Sequence, residues 1–438
     1  MCEHASNHLH KKVLLMAGPI IISNATVPLV GMVDTAVVGH LPNPAYIGAV
    51  ALGAAIFSFV FWGFSFLRMG TTGFVAQAHG ADDAREIRTV LARGLMLALL
   101  LGGLILLLRE NIITVALAVL DSTAEIESLS ADYVRLRIWA APAMLINFTL
   151  LGALIGLQRA GLALLLQLLL NLSNIALDLL FVLGLGYAVK GVALASALSE
   201  WLAALAGLLI IYRQLRPDSG GWFYPLWNSR ELLAMMRVNG NIFIRTLCLN
   251  LAYFYFTATS ARLGPELLAA NALLIQLQSL MAYGLDGFAH AAEALAGSAY
   301  GARQRAVFLA AVRASTLWAF VVAVLIALAY GLVGDVIIGL MTSHTEVLDI
   351  AGHYLPWMVL APLLSVWSFQ LDGIFIGATR SVEMRNAALF SLLVFVPSLE
   401  LLVYLLGNHG LWLAMMVLML ARTLSLLHYF PRLLEPLR

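Results

Sequence analysis

Residues 17–41, AGPIIISNATVPLVGMVDTAVVGHL, decide the fold of this chain. The stretch is apolar almost throughout and exceeds the roughly 20 residues that a helix needs to cross a bilayer. Its one carboxylate is Asp34. A charge at the centre of a membrane helix costs about 3 kcal/mol on insertion scales, so such residues usually face a bundle interior or a water-filled cavity. The stretch therefore predicts a membrane helix whose acid has a function.

Two prolines, Pro19 and Pro28, lie in the same predicted helix. Each removes a backbone hydrogen-bond donor and can bend the helix where it falls. A bendable helix that carries an acid suggests a conformational change that depends on protonation.

The composition extends this interpretation to the whole chain. Of its 438 residues, 62% are hydrophobic and 11% are charged, whereas a soluble domain holds about 25% charged residues. Apolar runs of membrane-spanning length recur from end to end, which predicts an all-α polytopic membrane protein. The twelve predicted helices are 12–40, 45–79, 85–110, 125–157, 160–186, 190–214, 231–263, 266–300, 304–331, 345–378, 382–406 and 410–430.

A long polar break divides these helices into two sets of six. We predict a first lobe over 1–214, a linker over 215–230 and a second lobe over 231–438. Most Lys and Arg residues fall in one set of loops, together with the linker and both termini. By the positive-inside rule, we expect the linker and both termini on the cytoplasmic side of the inner membrane.

The two lobes are related in sequence. PAYIGAVAL at 44–52 aligns with PELLAANAL at 265–273, and GALIGLQR at 152–159 aligns with GIFIGATR at 373–380 at the same offset. Because each lobe has six helices, the repeats point the same way across the membrane. Parallel repeats of this kind are found in secondary transporters.

The fifth predicted helix carries a polar stripe of Asn171, Asn174 and Asp178. Spacings of three and four place all three on one helix face. They either line a polar interior or hydrogen-bond neighbouring helices, as polar residues in membranes do. Asp34 likewise either pairs with Arg68, the one first-lobe arginine that we expect at mid-depth, or loads and releases a proton.

The second lobe has acids of its own, Asp286, Glu293 and Asp372. They have either structural or gating roles or take part in ion coupling. The repeat partner of Asp34 is Tyr255, so the first-helix acid belongs to the first lobe alone.

No phosphate-binding loop or metal motif occurs in the sequence. We therefore expect no enzyme activity and no cofactor, and we expect an ion gradient to supply the work.

Three stretches together resemble the MATE multidrug exporters, and more narrowly their DinF-type branch. They are the first helix quoted above, the NxxNxxxD stripe at 171–178 and DGFAHAAEALAG at 286–297. The resemblance covers essentially the whole chain. It implies two six-helix lobes, export of drugs in exchange for H+, and coupling to Na+ in some members.

The resemblance also implies roles for single residues. It gives the proton role to Asp34 and Asp178 in a first-lobe cavity, with Asn174 as their polar neighbour. It places Pro19 at the bend that follows protonation. Further cavity residues that it implies are Tyr133, Asn147 and Ser196, although Ser196 departs from the threonine usual there. Asn171, from the polar stripe, is a further candidate for the cavity lining.

The sequence thus leads to a monomeric, proton-coupled antiporter for amphipathic, cationic small molecules, with the lipid bilayer but no nucleic acid as a further partner. Two alternatives stay open. The first is a Na+-coupled drug antiporter. The second is a flippase for a lipid-linked precursor, which needs a cationic cavity. Only Arg68 and Arg245 are expected to lie as cations within the membrane.

Overall fold

The computed structural model describes residues 2–119, 123–215 and 228–437, so most of the predicted linker lies outside the described residues. Within these ranges, twelve helices are long and apolar enough to cross a membrane. They are α1 Cys2–Gly39, α2 Ala45–Gly80, α3 Ala84–Leu107, α4 Ala124–Gly156, α5 Ala160–Gly184, α6 Ala188–Gln214, α7 Ser229–Leu263, α8 Pro265–Gly301, α9 Arg305–Met341, α10 Thr345–Gly377, α11 Ser381–Leu406 and α12 Asn408–Leu437. The prediction of an all-α membrane fold with twelve spanning helices is confirmed.

Three helical segments differ most from their predicted bounds. The first helix begins at Cys2, ten residues before its predicted start. The ninth helix runs ten residues beyond its predicted end, to Met341, because the apolar sequence after Gly331 continues the helix. A short helix, Arg109–Val119, follows α3 in a region predicted as a loop. It begins after Leu108, where the backbone leaves the helical conformation.

Four spanning helices contain turns that are not α-helical, and in α12 this is a 3₁₀ turn at its end, Glu435–Leu437. α2 holds a 3₁₀ turn at Gly63–Ser65, and α4 holds one at Ile138–Ala140. α5 ends in a π-helical turn at Leu179–Gly184, directly after Asp178. Turns of this kind inside helices often accompany functional sites. In α4 and α5 they follow immediately after charged side chains.

The chain divides into two compact units. One comprises Met1–Ile21, His79–Asp82 and Met235–Arg438, and the other comprises Ile22–Ala78 and Asp83–Ala234. The predicted lobe boundaries stay a prediction. The second-named unit is called the Asp34 unit.

The first helix is continuous through both of its prolines. Neither Pro19 nor Pro28 interrupts α1, which is a single helix over Cys2–Gly39. Residues up to Ile21 belong to one compact unit and residues from Ile22 to the other. Pro19 therefore lies just before the point at which α1 changes unit.

Glycines let α4 pack directly on the backbone of α2. A Cβ atom on Gly152 would lie 2.4 Å from the carbonyl oxygen of Arg68, and one on Gly156 would lie 2.8 Å from that of Thr72. Neither position has room for a side chain. Small residues spaced four apart allow this close approach between membrane helices.

The second repeat has the same glycine contacts. A Cβ atom on Gly373 of α10 would lie 2.2 Å from the carbonyl oxygen of Ala289 on α8. One on Gly377 would lie 2.3 Å from that of Glu293. The GALIG and GIFIG sequences that align in the two repeats thus form equivalent helix contacts.

Gly373→Ala is expected to destabilise the protein by about 1–3 kcal/mol, the usual effect of overpacking a tight interior. The added methyl group forces the α8 and α10 backbones apart. The apparent melting temperature of the purified protein in detergent measures the effect. Gly103→Ala on α3 is the matched control, because a Cβ atom there meets nothing within 4 Å. An unchanged melting temperature for Gly373→Ala would contradict the close packing.

Candidate functional site

Asp34 on α1 and Asp178 on α5 lie next to each other inside the Asp34 unit. Their residues are 5% and 0% exposed. The two carboxyl groups are within hydrogen-bonding distance of one another. Among the described residues, no donor reaches Oδ1 of Asp34 or either side-chain oxygen of Asp178. Since a hydrogen bond between two carboxyl groups requires a proton on one of them, this geometry suits an acid pair that holds a proton.

The two asparagines of the polar stripe bridge α5 to its neighbours. Nδ2 of Asn174 donates to the hydroxyl of Ser196 on α6 at 3.3 Å. Nδ2 of Asn171 donates to the hydroxyl of Thr26 on α1 at 2.6 Å, and its Oδ1 accepts from Gln167 at 3.0 Å. These contacts match the interpretation of the asparagines as hydrogen-bonding groups between helices. Ser196 supplies the hydroxyl that a threonine would also supply.

Arg137 on α4 is a cation that the sequence did not lead us to expect at this site. It donates a hydrogen bond to the hydroxyl of the buried Tyr133. Its Cζ atom lies 4.5 Å from the ring centroid of Phe57. It also interacts electrostatically with Asp34 and Asp178. The sequence predicts Arg68 as the one first-lobe arginine at mid-depth and does not anticipate Arg137 beside these acids.

Glu200 on α6 is a second residue that the sequence interpretation missed. Its carboxylate accepts a hydrogen bond of 2.7 Å from Nδ2 of Asn147, which also donates to the Glu200 backbone oxygen at 3.0 Å. Glu200 interacts electrostatically with Arg137. The only signal in the sequence is its spacing of four from Ser196, which places both on one face of α6.

We call these groups the acidic cluster: Asp34, Tyr133, Arg137, Asn147, Asp178 and Glu200. An apolar core lies beside it, built mainly from α1, α2, α4, α5 and α6 and including Val38, Val50, Val182 and Val192. Tyr133 belongs to both. Charges in such surroundings interact more strongly than in water, so the protonation state of each acid affects the others.

Asp372, a second-lobe candidate, is held by two arginines. Arg422 of α12 donates to its Oδ2 at 2.7 Å, and Arg245 of α7 donates to the same oxygen. All three residues are at most 7% exposed. Arg422 is a further buried cation beyond the two that the sequence predicted.

The other second-lobe acids lie in the same compact unit as Asp372. Asp286 interacts electrostatically with Arg422 and with Tyr253. Glu293 is fully buried, and its carbonyl oxygen faces Gly377. Ion-coupling or gating roles for these acids stay predictions.

Tyr255, the repeat partner of Asp34, has a different setting. Its hydroxyl donates to the carboxylate of Glu400, which also accepts from Arg262 at 2.9 Å. The carboxylate of Glu400 is exposed, and Tyr255 is half-buried. The two repeats therefore share helix packing but differ in the chemistry at this position.

Comparison with known proteins identifies the family. The sequence model described as MatE matches residues 19–180 and again residues 242–400. This chain belongs to the MATE family. One matched stretch falls in each of the two halves that align with each other in the sequence.

Several MATE relatives align along most of the chain. The DNA damage-inducible protein F of Escherichia coli (strain K12) is 44% identical over 415 residues, which cover 94% of this chain and 90% of that protein. The probable multidrug resistance protein NorM of Listeria innocua is 25% identical and covers 88% of this chain and 84% of its own length. A crystal structure of MATE in the straight conformation has a TM-score of 0.88 at 22% identity, covering 98% of this chain and 97% of that one.

Membership of the MATE family confirms the predicted class. The chain is a multi-pass membrane protein and a multidrug efflux transporter, and members of this family are transporters rather than enzymes. The resemblance found in the first helix, the NxxNxxxD stripe and the eighth helix is also confirmed. Family membership alone does not identify the coupling ion or the residues that bind it.

Proposed function

We propose that this transporter exports amphipathic, cationic organic compounds in exchange for protons. The observation that carries the proposal is the contact between the carboxyl groups of Asp34 and Asp178 in a buried setting. Two acids in contact cannot both ionise without mutual repulsion, so their charge changes in steps as protons bind and leave. When both are protonated, the cluster loses its attraction for a cation. Drug and proton therefore compete for the negative charge of the acidic cluster.

The bend of α1 is proposed to follow protonation of Asp34. Asp34 and Pro19 lie on the same helix, and α1 changes compact unit between Ile21 and Ile22. Proline removes one backbone hydrogen bond, so α1 bends there at lower cost than elsewhere. Protons that enter from outside neutralise the acid pair, α1 bends, and the drug leaves. Asn171, Asn174 and Ser196 take part as polar groups around the acids.

A Na+-coupled mechanism at Asp372 is less well supported. Two guanidinium groups already donate to the same oxygen of that carboxylate. A sodium ion there would have to share the oxygen with two positive charges, which repel it. We propose no Na+-binding role for Asp286 or Glu293.

A lipid-precursor flippase is also less well supported. It needs a cationic cavity for a pyrophosphate headgroup, whereas Arg137 is accompanied by Asp34, Asp178 and Glu200. With all four groups ionised, the acidic cluster has a net negative charge. Such a cluster attracts cations and repels phosphates.

The proposed setting is the inner membrane, with both termini on the cytoplasmic side and the chain acting as a monomer. The asymmetry of Lys and Arg between the two sets of loops supports the orientation of the termini. Protons then enter the acidic cluster from the outside.

Transport of a fluorescent cation by proteoliposomes tests the coupling ion. Purified protein is reconstituted, and a proton gradient or a sodium gradient is imposed separately. We expect the proton gradient alone to drive movement of the dye, and the sodium gradient to have no effect. Dye movement driven by sodium alone would contradict proton coupling. Lipid flipping without any dye transport in the same vesicles would favour the flippase instead.

A further inference from the structure

Glu200 lies on the same helix seam as Asp178 but at another depth. Asn174 lies one turn before Asp178 on α5 and donates to Ser196 on α6 at 3.3 Å. Glu200 lies one turn after Ser196, about 6 Å along the helix axis. Because α5 and α6 are packed neighbours joined by residues 185–187, they run antiparallel. Starting from the contact between Asn174 and Ser196, the next turn of α5 leads to Asp178 and the next turn of α6 leads to Glu200. These two turns point in opposite directions, so Glu200 and the acid pair lie at different levels along the two helices.

The side chain that positions Glu200, that of Asn147, does not neutralise the charge of its carboxylate. Nδ2 of Asn147 donates to the carboxylate at 2.7 Å, and an amide is neutral. Oδ1 of the same Asn147, a residue only 4% exposed, has no hydrogen-bond partner among the described residues. Because Nδ2 of Asn147 faces the Glu200 carboxylate, Oδ1 lies on the other side of the amide. The carboxylate itself keeps lone pairs that can accept from a positively charged donor.

Arg137 does not occupy this position. It interacts electrostatically with Glu200, but its hydrogen bond goes to Tyr133 and its guanidinium lies over the ring of Phe57. If Asp34 and Asp178 share one proton, then they, Arg137 and Glu200 together have a net charge of −1. One monovalent organic cation makes the cluster neutral.

We propose that Glu200 binds the positive group of the transported compound and so sets a preference for organic cations, while Asp34 and Asp178 exchange protons. Asn147 is the positioning residue that holds the Glu200 carboxylate. This inference rests on the proposed function, which it deepens by assigning drug charge and protons to different acids. It also gives a reason why Glu200 and the acid pair lie at different depths. A drug cation at Glu200 and a proton at Asp34 and Asp178 can influence each other through their charges without occupying the same position.

Binding to the purified full-length chain tests this division. The probes are methyltriphenylphosphonium, a cation, and triphenylphosphine oxide, an uncharged compound of nearly the same shape. Glu200→Gln removes the charge but keeps an oxygen that accepts from Asn147. We expect at least a tenfold loss of affinity for the cation and less than a twofold change for the oxide, measured by equilibrium dialysis.

Two further variants separate charge from structure. Glu200→Asp keeps the negative charge and is expected to bind the cation better than Glu200→Gln does. Glu346→Gln changes an exposed glutamate in the first turn of α10 and is expected to match the unmodified protein for both probes. Equal losses for both probes in Glu200→Gln would show a structural role and overturn the proposal, as would unchanged binding of the cation.

Transport of the same two probes distinguishes this inference from the proposed function. If the unmodified protein exports the phosphonium with a proton gradient and Glu200→Gln exports it equally well, the role of Glu200 is wrong and proton-coupled export stands. If Glu200→Gln loses the cation selectively in binding but a proton gradient drives no export by the unmodified protein, the proposed coupling is wrong and the cation site stands.

Discussion

Export of a cationic drug by an Asp34→Asn variant is expected to fall to the level of protein-free vesicles, while the variant is made and inserted normally. The amide has the shape of the acid but cannot gain or lose a proton. Its NH₂ group can donate to Asp178, the neighbour of Asp34 in the acidic cluster. This contact preserves the packing of α1 against α5 and keeps the charge on Asp178 fixed. Without a change of charge, the imposed proton gradient has nothing to act on at this pair.

The measurement is proton-driven dye transport by proteoliposomes that contain equal amounts of each protein. Asp349→Asn is the matched control, because it makes the same substitution at an exposed aspartate near the start of α10. It is expected to transport normally. Full proton-driven transport by Asp34→Asn would remove Asp34 from the coupling mechanism and leave the family assignment untouched.

An Asp372→Asn variant is expected to lose about 3–5 kcal/mol of unfolding free energy, the usual result of removing one partner from a buried ion pair. The carboxylate is the common acceptor for Arg245 and Arg422, and both arginines are at least 93% buried. An amide oxygen can accept hydrogen bonds from them but removes the negative charge that the two arginines share. Unfolding of the purified protein in mixed micelles, titrated with denaturant and followed by tryptophan fluorescence, measures the loss.

Two further variants test whether the loss of stability arises because these charges are buried. Glu400→Gln removes the shared acceptor of Tyr255 and Arg262, a similar arrangement at an exposed position, and is expected to leave stability nearly unchanged. Replacing Asp372 and both of its arginines together by Leu and Met is expected to recover much of the loss, because apolar side chains can fill such a site. Equal stability of Asp372→Asn and the unmodified protein would show that the three charges are not closely linked.

Most of the fold could be predicted from the sequence, because membrane helices leave a strong local signal. A run of about 20 apolar residues between turn residues is sufficient to predict a span. The errors occurred where that signal is weak. The extension of α9 past Gly331 and the short helix Arg109–Val119 both depend on whether a local break ends a helix. Tertiary packing decides such cases.

The acidic cluster could be predicted only in part. Asp34 and Asp178 were found because a carboxylate in an apolar helix is costly and therefore conspicuous. Arg137 was missed because the first half of α4 is polar, so its charge does not stand out from its neighbours. The contact between Asn147 and Glu200 joins residues on different helices, and no local pattern reports such a pair. The same is true of Asp372 and Arg245.

The glycine contacts of the two repeats have a consequence for how this protein arose. The carbonyl oxygens that face Gly152 and Gly373 belong to Arg68 and Ala289, which correspond in the alignment of the halves. A tandem gene duplication therefore copied a half-length ancestor that already folded with this tight helix crossing. Position 34 and its counterpart Tyr255 became different residues afterwards. The architecture is thus older than the present asymmetry, because the acid at position 34 is found in one copy and a tyrosine in the other.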